Sequence, residues 1–475
     1  MFSDDRVQAI HEAALTFLED LGIRFLLPEA RHLLAAAGAI VDEDTQMVRI
    51  GREVIEAALA TAPKNILQKA RNPERDLDYS PGSLIFSPGS GCPNATDAER
   101  GRRPGNLETY EEALKLHQSF DVIHKLGPSA EPQDIPIHLR HYAMMRAQLT
   151  LADKPMFVYA RGQGQVEDSF EMIRLALGLT DEEFLGNSWS TTVINTNSPR
   201  QVDMPMAQGI IDFARNGQMS IITPFCLAGA MAPVTVAGAL TLQHGEALAC
   251  IALAQLARPG APVSYGGFSS NVDMKSGAPA FGTPEHVKMQ LGSGQLARLI
   301  GLPWRSAAGS ASNTADMQSA TENIMGLWGA LQANATLVVH SAGWLEGGLS
   351  FGYEKFINDV EALQVIAELC AETPADDAEI GLDALAEVEP GGHFFAAQHT
   401  MDRYETAFYN PLVSDLSNFG QWTDAGARNS TERAVDIWKA TLRDFQPPPG
   451  GTEAGERIAR FIADRTAAGG AAPLD

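Results

Sequence analysis

The stretch ATLVVHSAGWLEGGLSFGYEKF, residues 335–356, passes from a strand pattern through a loop into the start of a helix pattern. Its first five residues form an apolar, partly β-branched run that is typical of a buried strand. The loop that follows contains four glycines and aromatic rings at His340, Trp344, Phe351, Tyr353 and Phe356. Loops are usually polar because their backbone must meet water, so these rings indicate a buried lid or a binding surface.

The same order of strand, loop and helix occurs eight times along the chain. Strand patterns begin at Ser83, Asp121, Lys154, Ser190, Met219, Ala261, Leu302 and Ala335. Successive starts are separated by the length that a strand and its crossover helix require. Eight such units predict an α/β fold, and they favour a TIM (β/α)8 barrel over an open doubly wound sheet.

The regions before and after the repeated units have other patterns. Residues 1–80 have apolar residues at three- and four-residue spacing and predict an N-terminal helical region. The barrel is expected over 81–388. Residues 389–475 form a C-terminal appendage with one helix capped by Asn429, and we expect it to pack on the barrel or on the second subunit of a homo-oligomer. Its Ala/Gly-rich tail is expected to be disordered.

Composition limits the classes of partner. The chain has 475 residues, with 35 Lys and Arg against 59 Asp and Glu, a formal charge of −24. This charge argues against nucleic acid or an anionic membrane surface as the main partner. The four cysteines form no CxxC pair, the acidic amino terminus is unlike a signal peptide, and no apolar run is expected to span a membrane. A cytoplasmic enzyme is therefore expected.

The active site of a TIM barrel lies at the carboxyl ends of its strands. The residues expected there are Ser87 to Gly91, Glu131, Asp134, Tyr159, Arg161, Asn195, Phe225, Cys226, Tyr265, Phe268, Arg305, Ser310, His340 and Trp344. This set is rich in aromatic side chains and contains no converging group of metal ligands, so we expect neither a metal site nor a catalytic acid–base pair. Aromatic faces can instead surround a cation, each contributing about 0.5 to 2 kcal/mol.

Three segments resemble the trimethylamine methyltransferase family. They are TADMQSATENIMGLWGALQANATLVVHSAGWLEGGLSFGYEKFINDVE from Thr314, GGHFFAAQHTMDRYETAFYNPLVSD from Gly391 and GCPNATDAERGRRPGNLETYEEAL from Gly91. The resemblance extends over nearly the whole chain. It implies a TIM barrel that passes a methyl group from a methylated amine to the cobalt of cobalamin, carried on a separate corrinoid protein.

The chain differs from the founding members of that family in one respect. Those members carry pyrrolysine in the barrel, whereas this sequence consists of ordinary residues. Pyrrolysine-free relatives resemble demethylases of quaternary amines such as glycine betaine, proline betaine or carnitine. We therefore expect a quaternary amine substrate, most simply glycine betaine or a close betaine. A quaternary ammonium already carries its charge, so transfer of its methyl group needs no proton and no general acid.

Eight residues are expected to bind this substrate or the corrinoid. Trp344, Phe351, Tyr265 and Phe268 are expected to form an aromatic cage, with Phe225 beside it, while His340, Asn195 and Tyr353 bind the carboxylate or the corrinoid edge. Two alternatives stay open on the sequence. One is a non-catalytic protein that binds a quaternary amine on the same barrel, and the other is a zinc-dependent methyltransferase acting on a thiol or alcohol.

Overall fold

Seven parallel strands form the central sheet in a computed structural model that describes residues 1–474. In spatial order the strands are Ile85–Phe86, Leu337–Val339, Trp304–Ala307, Val263–Gly266, Met219–Ile222, Ser190–Ile194 and Met156–Phe157. The first strand in the chain lies beside the last, and the others follow in chain order, so the sheet curls toward closure. The α/β class predicted from the sequence is confirmed, with seven of the eight expected strands present.

The segment 121–126 was expected to be the remaining strand and forms none. It lies between the two edges of the sheet, where His124 N–H donates to Phe86 O at 3.0 Å and Leu126 N–H donates to Pro155 O at 3.0 Å. The Phe86 N–H donates to the Nδ1 atom of His124 at 2.9 Å. The imidazole thus takes the place of a backbone carbonyl, and no regular ladder forms.

Helices alternate with the strands and pack against the sheet and against one another. They are Leu107–Ser119, Ile137–Leu151, Gln163–Leu177, Met204–Arg215, Val236–Ala257, Pro284–Ile300, Met317–Gln332 and Tyr353–Cys370, with a short helix at Asp181–Leu185. Several begin where the sequence predicts: Thr283 accepts from the N–H of His286, and Thr235 accepts from the N–H of Gly238.

The helix Val236–Ala257 is long and apolar enough to cross a membrane by length and composition, contrary to the expectation that no segment is. It is nevertheless mostly buried within the protein, because the helices Asp4–Asp20, Pro28–Ala36 and Arg52–Thr61 cover it. A Cβ atom at Gly245 would overlap the ring of Phe17, so glycine permits this close approach. The apolar composition is that of a core helix.

The N-terminal region is not purely helical, which corrects the sequence expectation. Besides its three helices it contains short strands at Ile23–Phe25, Ile40–Asp42, Met47–Arg49, Leu67–Gln68 and Leu77–Asp78. The first three form a sheet with Gln201–Val202. Strands of two or three residues are too short to show the alternating pattern by which strands are recognised.

Short strands also occur in the loops after the central strands. Asn94–Thr96, Arg103–Pro104, Trp344–Leu345 and Ser350–Gly352 form one sheet, and Leu227–Ala228, Ser270–Val272 and Pro279–Ala280 form another. The glycine-rich loop that follows the last central strand is thus a hairpin in which Trp344 pairs with Phe351.

The C-terminal region contains the helices Asp377–Ile380, Leu382–Glu387, Gln398–Met401, Phe419–Asp424, Ser430–Arg443 and Gly451–Ala467. Ser430–Arg443 packs on Tyr353–Cys370 and Leu107–Ser119, and Gly451–Ala467 packs on Ile137–Leu151 and Gln163–Leu177.

The tail expected to be disordered is ordered as far as it is described. Gln165 donates to Ala471 O at 2.9 Å and Leu474 N–H donates to Arg161 O at 3.0 Å. The buried Ala454 and Ile458 are four residues apart, a helical spacing that is inconspicuous among the alanines and glycines. The final residue of that tail, Asp475, lies outside the described residues.

Candidate active site

A cavity of about 380 Å³ opens at the carboxyl ends of the central strands. Its lining residues come from several strand ends and from the glycine-rich loop. They are Ser90, Gly91, Pro128, Phe157, Tyr159, Val193, Asn195, Thr196, Phe225, Phe268, Arg305, Val339, His340, Trp344, Gly347 and Gly348. This is the end of the sheet at which α/β barrels bind their ligands. No aspartate or glutamate is among these lining residues.

Arg305 is the charged group of the cavity. It lies in the strand Trp304–Ala307 and is 1% exposed. In residues 1–474 its Nε and Nη1 atoms donate to no acceptor, and its guanidinium lies 5.2 Å from the centre of the Phe268 ring. Burial lowers the pKa of Arg305 to about 9, which leaves the side chain protonated at neutral pH. A buried, protonated arginine without a carboxylate partner is costly unless a ligand supplies the negative charge.

Aromatic rings form one wall of the cavity. Phe268 lies at its centre, with ring centroids 5.4 Å from Phe225, 5.2 Å from His340 and 5.6 Å from Trp344. Phe281 stacks on Phe268 at 5.0 Å from behind the lining residues. Phe157 and Tyr159 add two rings to the lining. The wall presents several π-faces to whatever occupies the cavity, an arrangement suited to a cation.

His340 joins the arginine to the aromatic wall. Its Nε2 atom lies 3.3 Å from Arg305 Nη2, its Nδ1 atom lies 3.3 Å from the N–H of Ser90, and its ring stacks on Trp344 at 4.7 Å. Burial, followed by the nearby Arg305 charge, holds the pKa of His340 well below its usual value. Its backbone has a φ of 59°, a left-handed conformation that is uncommon for a non-glycine residue and concentrates at functional sites.

The glycines around Trp344 explain why an aromatic loop is also rich in glycine. A Cβ atom at Gly348 would lie 2.6 Å from the indole, and one at Gly309 would overlap it. Both residues have a positive φ, 104° and 106°. The indole is thus held between backbone segments that only glycine allows to come so close.

Five of the eight residues expected to bind substrate line the cavity: Asn195, Phe225, Phe268, His340 and Trp344. Asn195 is exposed at the mouth, where its amide donates to Thr223 O at 2.8 Å. Phe225 is half-buried.

The other three lie elsewhere. The Tyr265 hydroxyl is within hydrogen-bonding distance of Gln243 and His244 in the helix Val236–Ala257, at 3.3 and 3.1 Å. Phe351 packs on His117 and Phe356 beneath the hairpin.

Tyr353 belongs to a separate cluster. It donates to Glu112, and its ring faces the guanidinium of Arg100 at 4.9 Å and packs on Trp438 at 5.0 Å.

Several lining residues were absent from the expected substrate-binding set. Arg305 and Tyr159 were both expected at strand ends, but neither was assigned to the ligand. An arginine within an otherwise apolar strand was the signal that could have identified Arg305. The Tyr159 hydroxyl makes no hydrogen bond within residues 1–474, and its ring faces the guanidinium of Arg161 at 4.1 Å, which is itself paired with Glu131.

Among residues 1–474 no three His, Cys, Asp or Glu side chains converge in a way that could hold a metal ion. Cys226 and His244, which could be imagined as zinc ligands, have other neighbours. Cys226 Sγ lies 3.3 Å from Ser198 Oγ, and His244 lies 2.8 Å from His11.

An α/β sheet with a buried arginine and an aromatic wall at its carboxyl end defines a small-molecule site. Comparison with known proteins identifies its family. A family model described as trimethylamine methyltransferase matches residues 1–470. The glycine betaine methyltransferase of Desulfitobacterium hafniense (strain Y51) is 34% identical over 467 residues, which are 98% of this chain and 97% of that protein.

Two further relatives are more distant. The trimethylamine methyltransferase of Desulfitobacterium hafniense (strain DSM 10664 / DCB-2) is 28% identical over 451 residues, covering 94% of this chain and 90% of that protein. The crystal structure of the Methanosarcina barkeri monomethylamine methyltransferase has a TM-score of 0.47 and 9% identity, covering 97% of this chain and 94% of that one. The chain belongs to the trimethylamine methyltransferase family and is a methyltransferase, which confirms the resemblance seen in its sequence.

Proposed function

We propose that this protein transfers a methyl group from a zwitterionic quaternary amine, glycine betaine or a close betaine, to the cobalt of a corrinoid protein. The observation that carries the proposal is Arg305, buried in the cavity with free N–H groups and no carboxylate partner in residues 1–474. A betaine has the complementary pair of charges, because its carboxylate can accept from Arg305 while its ammonium lies against the aromatic rings.

The charge of Arg305 favours a betaine over trimethylamine. At an effective dielectric constant of about 20, two unit charges about 5 Å apart interact by about 3 kcal/mol. A carboxylate beside Arg305 is stabilised by an interaction of this size, whereas a protonated amine without a carboxylate is only repelled by Arg305. The absence of pyrrolysine from the sequence supports the same choice.

The aromatic wall is where we expect the ammonium group to bind. Phe225, Phe268 and Trp344 present neighbouring rings, and each desolvated cation–π contact contributes about 0.5 to 2 kcal/mol. His340 is neutral, since its lowered pKa keeps it unprotonated, and so adds no positive charge beside the ammonium.

In the proposed mechanism the residues of this chain orient and desolvate the substrate. A reduced corrinoid on the partner supplies the nucleophile that accepts the methyl group. Arg305 anchors the carboxylate and the aromatic wall fixes the ammonium, which orients a methyl group toward the mouth. The amine leaves as a neutral tertiary amine, so no side chain has to donate a proton.

Exposed apolar side chains on the loops around the cavity are consistent with docking of such a partner. Val234 and Met274 are exposed on loops that follow two central strands, at 73% and 74%, and Leu349 is 52% exposed beside the lining residue Gly348. Exposed apolar side chains of this size around a binding site are typical of a protein contact.

We also infer that the segment 121–126 closes the sheet into a (β/α)8 barrel. Its backbone donates to both edges of the seven-stranded sheet, which is the position of the missing strand. Location in the cytoplasm stays a prediction.

The deciding experiment incubates the purified protein with glycine betaine and free cob(I)alamin and records the methylcobalamin spectrum. We expect methylcobalamin with betaines and little with trimethylamine. Equal turnover of trimethylamine and betaines would refute the substrate assignment. Betaine binding by calorimetry without any methyl transfer, to free cob(I)alamin or to a corrinoid protein, would favour a binding protein, and stoichiometric zinc needed for activity would favour a zinc enzyme.

A further inference from the structure

We propose that Glu246, a buried carboxylate directly behind the wall of the cavity, supplies the negative charge that attracts the cationic group of the ligand. This inference rests on the proposed function and adds a second charged residue to the site. Glu246 lies in the helix Val236–Ala257, is 0% exposed and is not itself a lining residue. The site thus has a positive group at Arg305 and a negative group at Glu246.

Four donors surround the carboxylate of Glu246. The backbone N–H of Arg200 donates to Oε1 at 2.6 Å, and the hydroxyl of Ser198 donates to Oε2 at 2.6 Å. Thr196 Oγ1 also donates to Oε2, and the thiol of Cys226 lies 3.8 Å from the same oxygen. Burial raises the pKa of Glu246, and these donors oppose that shift. A carboxyl group surrounded only by donors has the contacts of an ionised carboxylate.

The carboxylate of Glu246 is in no salt bridge within residues 1–474. Arg200 contributes only its backbone N–H, since its guanidinium donates to Leu21 O at 3.2 Å. A buried charge without a partner is costly. A glutamine would hold the same loop at a lower cost, because an amide can accept from an N–H and donate to a hydroxyl. A carboxylate at this position is therefore best explained by a cation that is not part of the chain.

The carboxylate is one hydroxyl group away from the cavity. Thr196, which donates to Glu246, is a lining residue, and Cys226 directly follows the lining residue Phe225. A hydrogen bond of about 2.7 Å and a van der Waals contact of about 4 Å place a cation that touches Thr196 roughly 7 Å from the carboxylate. Buried charges are screened little by salt, so the attraction persists over this distance.

Glu246 and Arg305 act from different walls of the cavity. Thr196 follows the strand Ser190–Ile194, whereas Arg305 lies in the strand Trp304–Ala307, and two further strands separate these in the curled sheet. Neighbouring strands are about 4.8 Å apart, so the two charges lie on different sides of the opening. Together they orient a zwitterion, with its carboxylate at Arg305 and its ammonium toward Thr196.

The charge of Glu246 acts on binding more than on methyl transfer. When the C–N bond breaks, its electron pair stays on nitrogen and the ammonium becomes a neutral amine, while the nucleophile of the corrinoid supplies the electron pair of the new bond to carbon. Glu246 therefore stabilises the bound substrate more than the transition state, in which this positive charge declines. Its contribution is to affinity and specificity.

The test compares three ligands by calorimetric titration of the full-length protein. Glycine betaine has both charged groups, tetramethylammonium has only the cation, and 3,3-dimethylbutanoate has only the carboxylate, with carbon in place of nitrogen. Glu246→Gln should weaken binding of betaine and of tetramethylammonium about 10- to 50-fold, because it removes the attraction between unit charges about 7 Å apart at an effective dielectric constant of about 20. Dimethylbutanoate should bind the variant at least as well as the wild type.

Two control variants separate the charge from the hydrogen bonds and from general stability. Ser198→Ala removes one donor to the carboxylate but keeps its charge, so the preference for betaine over dimethylbutanoate should persist. Asp212→Asn removes another buried carboxylate, near the end of the helix Met204–Arg215 that leads to the amino end of a central strand, and should change the affinity for none of the ligands. Glu246→Met repeats the comparison with an apolar side chain of similar length, and a melting curve measures the folded fraction of each variant.

A kinetic measurement adds a readout that a purely structural role would not produce. With free cob(I)alamin, Glu246→Gln should raise the KM for betaine without lowering kcat. An equal loss of affinity for betaine and dimethylbutanoate, or unchanged affinity for all three ligands, would overturn this inference and leave the proposed function intact. A wild type that binds and demethylates no betaine would refute the proposed function, and this inference with it.

Discussion

The Nε2 atom of His340 lies 3.3 Å from Nη2 of Arg305, while the other ring nitrogen faces the N–H of Ser90. Both nitrogens of the imidazole therefore face donors, and a neutral imidazole can accept at only one of them. Protonation would remove that acceptor as well, so this geometry and the lowered pKa agree that His340 is neutral. Among the lining residues Arg305 is thus the single positive charge, and within residues 1–474 its Nε and Nη1 atoms have no acceptor, which leaves them free for a ligand.

Arg305→Met is expected to weaken betaine binding about 10- to 150-fold, because a hydrogen bond to a charged group contributes about 1.5 to 3 kcal/mol. Tetramethylammonium, which lacks a carboxylate, should bind the variant at least as well as the wild type, since repulsion is removed. Calorimetric titration of both ligands measures this. The variant should be as stable as the wild type or more so, because an unpaired buried charge is lost. An equal loss of affinity for both ligands would exclude Arg305 as the carboxylate anchor.

Trp344→Ala should weaken betaine binding by roughly 1 to 2 kcal/mol, about five- to thirtyfold, through the lost cation–π contact. Trp344→Phe should recover part of the loss. The alanine variant should also lose about 3 to 5 kcal/mol of stability because the indole is buried, so affinity is measured on the folded fraction beside a melting curve. Trp328→Ala, at a half-exposed tryptophan outside the cavity, is the control. Normal affinity of folded Trp344→Ala would remove this ring from the site.

Gly309→Ala should weaken betaine binding without altering any residue in the cavity lining, because its methyl group displaces the Trp344 indole. Gly101→Ala is the matched control: it also has a positive φ, 67°, but open space around the added methyl group. Each substitution should cost about 1 to 3 kcal/mol of stability through backbone strain. Titration should show weaker binding for Gly309→Ala alone. If both variants bind like the wild type, the close packing of Trp344 does not control the site.

Lys125 predicts a dependence of stability on pH. It is 2% exposed, its Nζ atom donates to Thr191 Oγ1 at 2.6 Å, and burial lowers its pKa to about 7. The unfolded chain holds this proton up to about pH 10.4. Between about pH 7 and 10 the unfolded state thus binds more protons, and stability rises with pH.

Lys125→Met should raise the free energy of unfolding at pH 7 and reduce its slope by up to about 1.4 kcal/mol per pH unit between pH 7 and 9. Urea unfolding at several pH values provides the measurement. Lys69→Met is the control, because Lys69 is half-buried and paired with Asp76 at 2.7 Å. A slope unchanged by Lys125→Met would mean that this lysine titrates normally in the folded protein.

The sequence by itself determined the α/β class, the positions of seven central strands and the family, because each depends on local patterns and on the order of segments along the chain. Phe268, His340 and Trp344 were also placed at the strand ends correctly, since a residue just after a parallel strand must lie at that edge of the sheet. The sequence predicted a strand at 121–126 that does not form, and its absence was not predictable, because a single imidazole bond to Phe86 replaces the ladder.

Only the tertiary structure decided which of those side chains share the cavity. Tyr265 points to a helix and Tyr353 to Glu112, although Tyr265 lies in the strand that leads to Phe268 and Tyr353 follows the hairpin that carries Trp344. The direction of a side chain at a strand end depends on the pleat and on the hairpin pairing, which sequence position alone does not specify. The solitary charge of Arg305 is likewise a tertiary property, because it depends on the absence of a nearby carboxylate among the residues of 1–474 that fold around it.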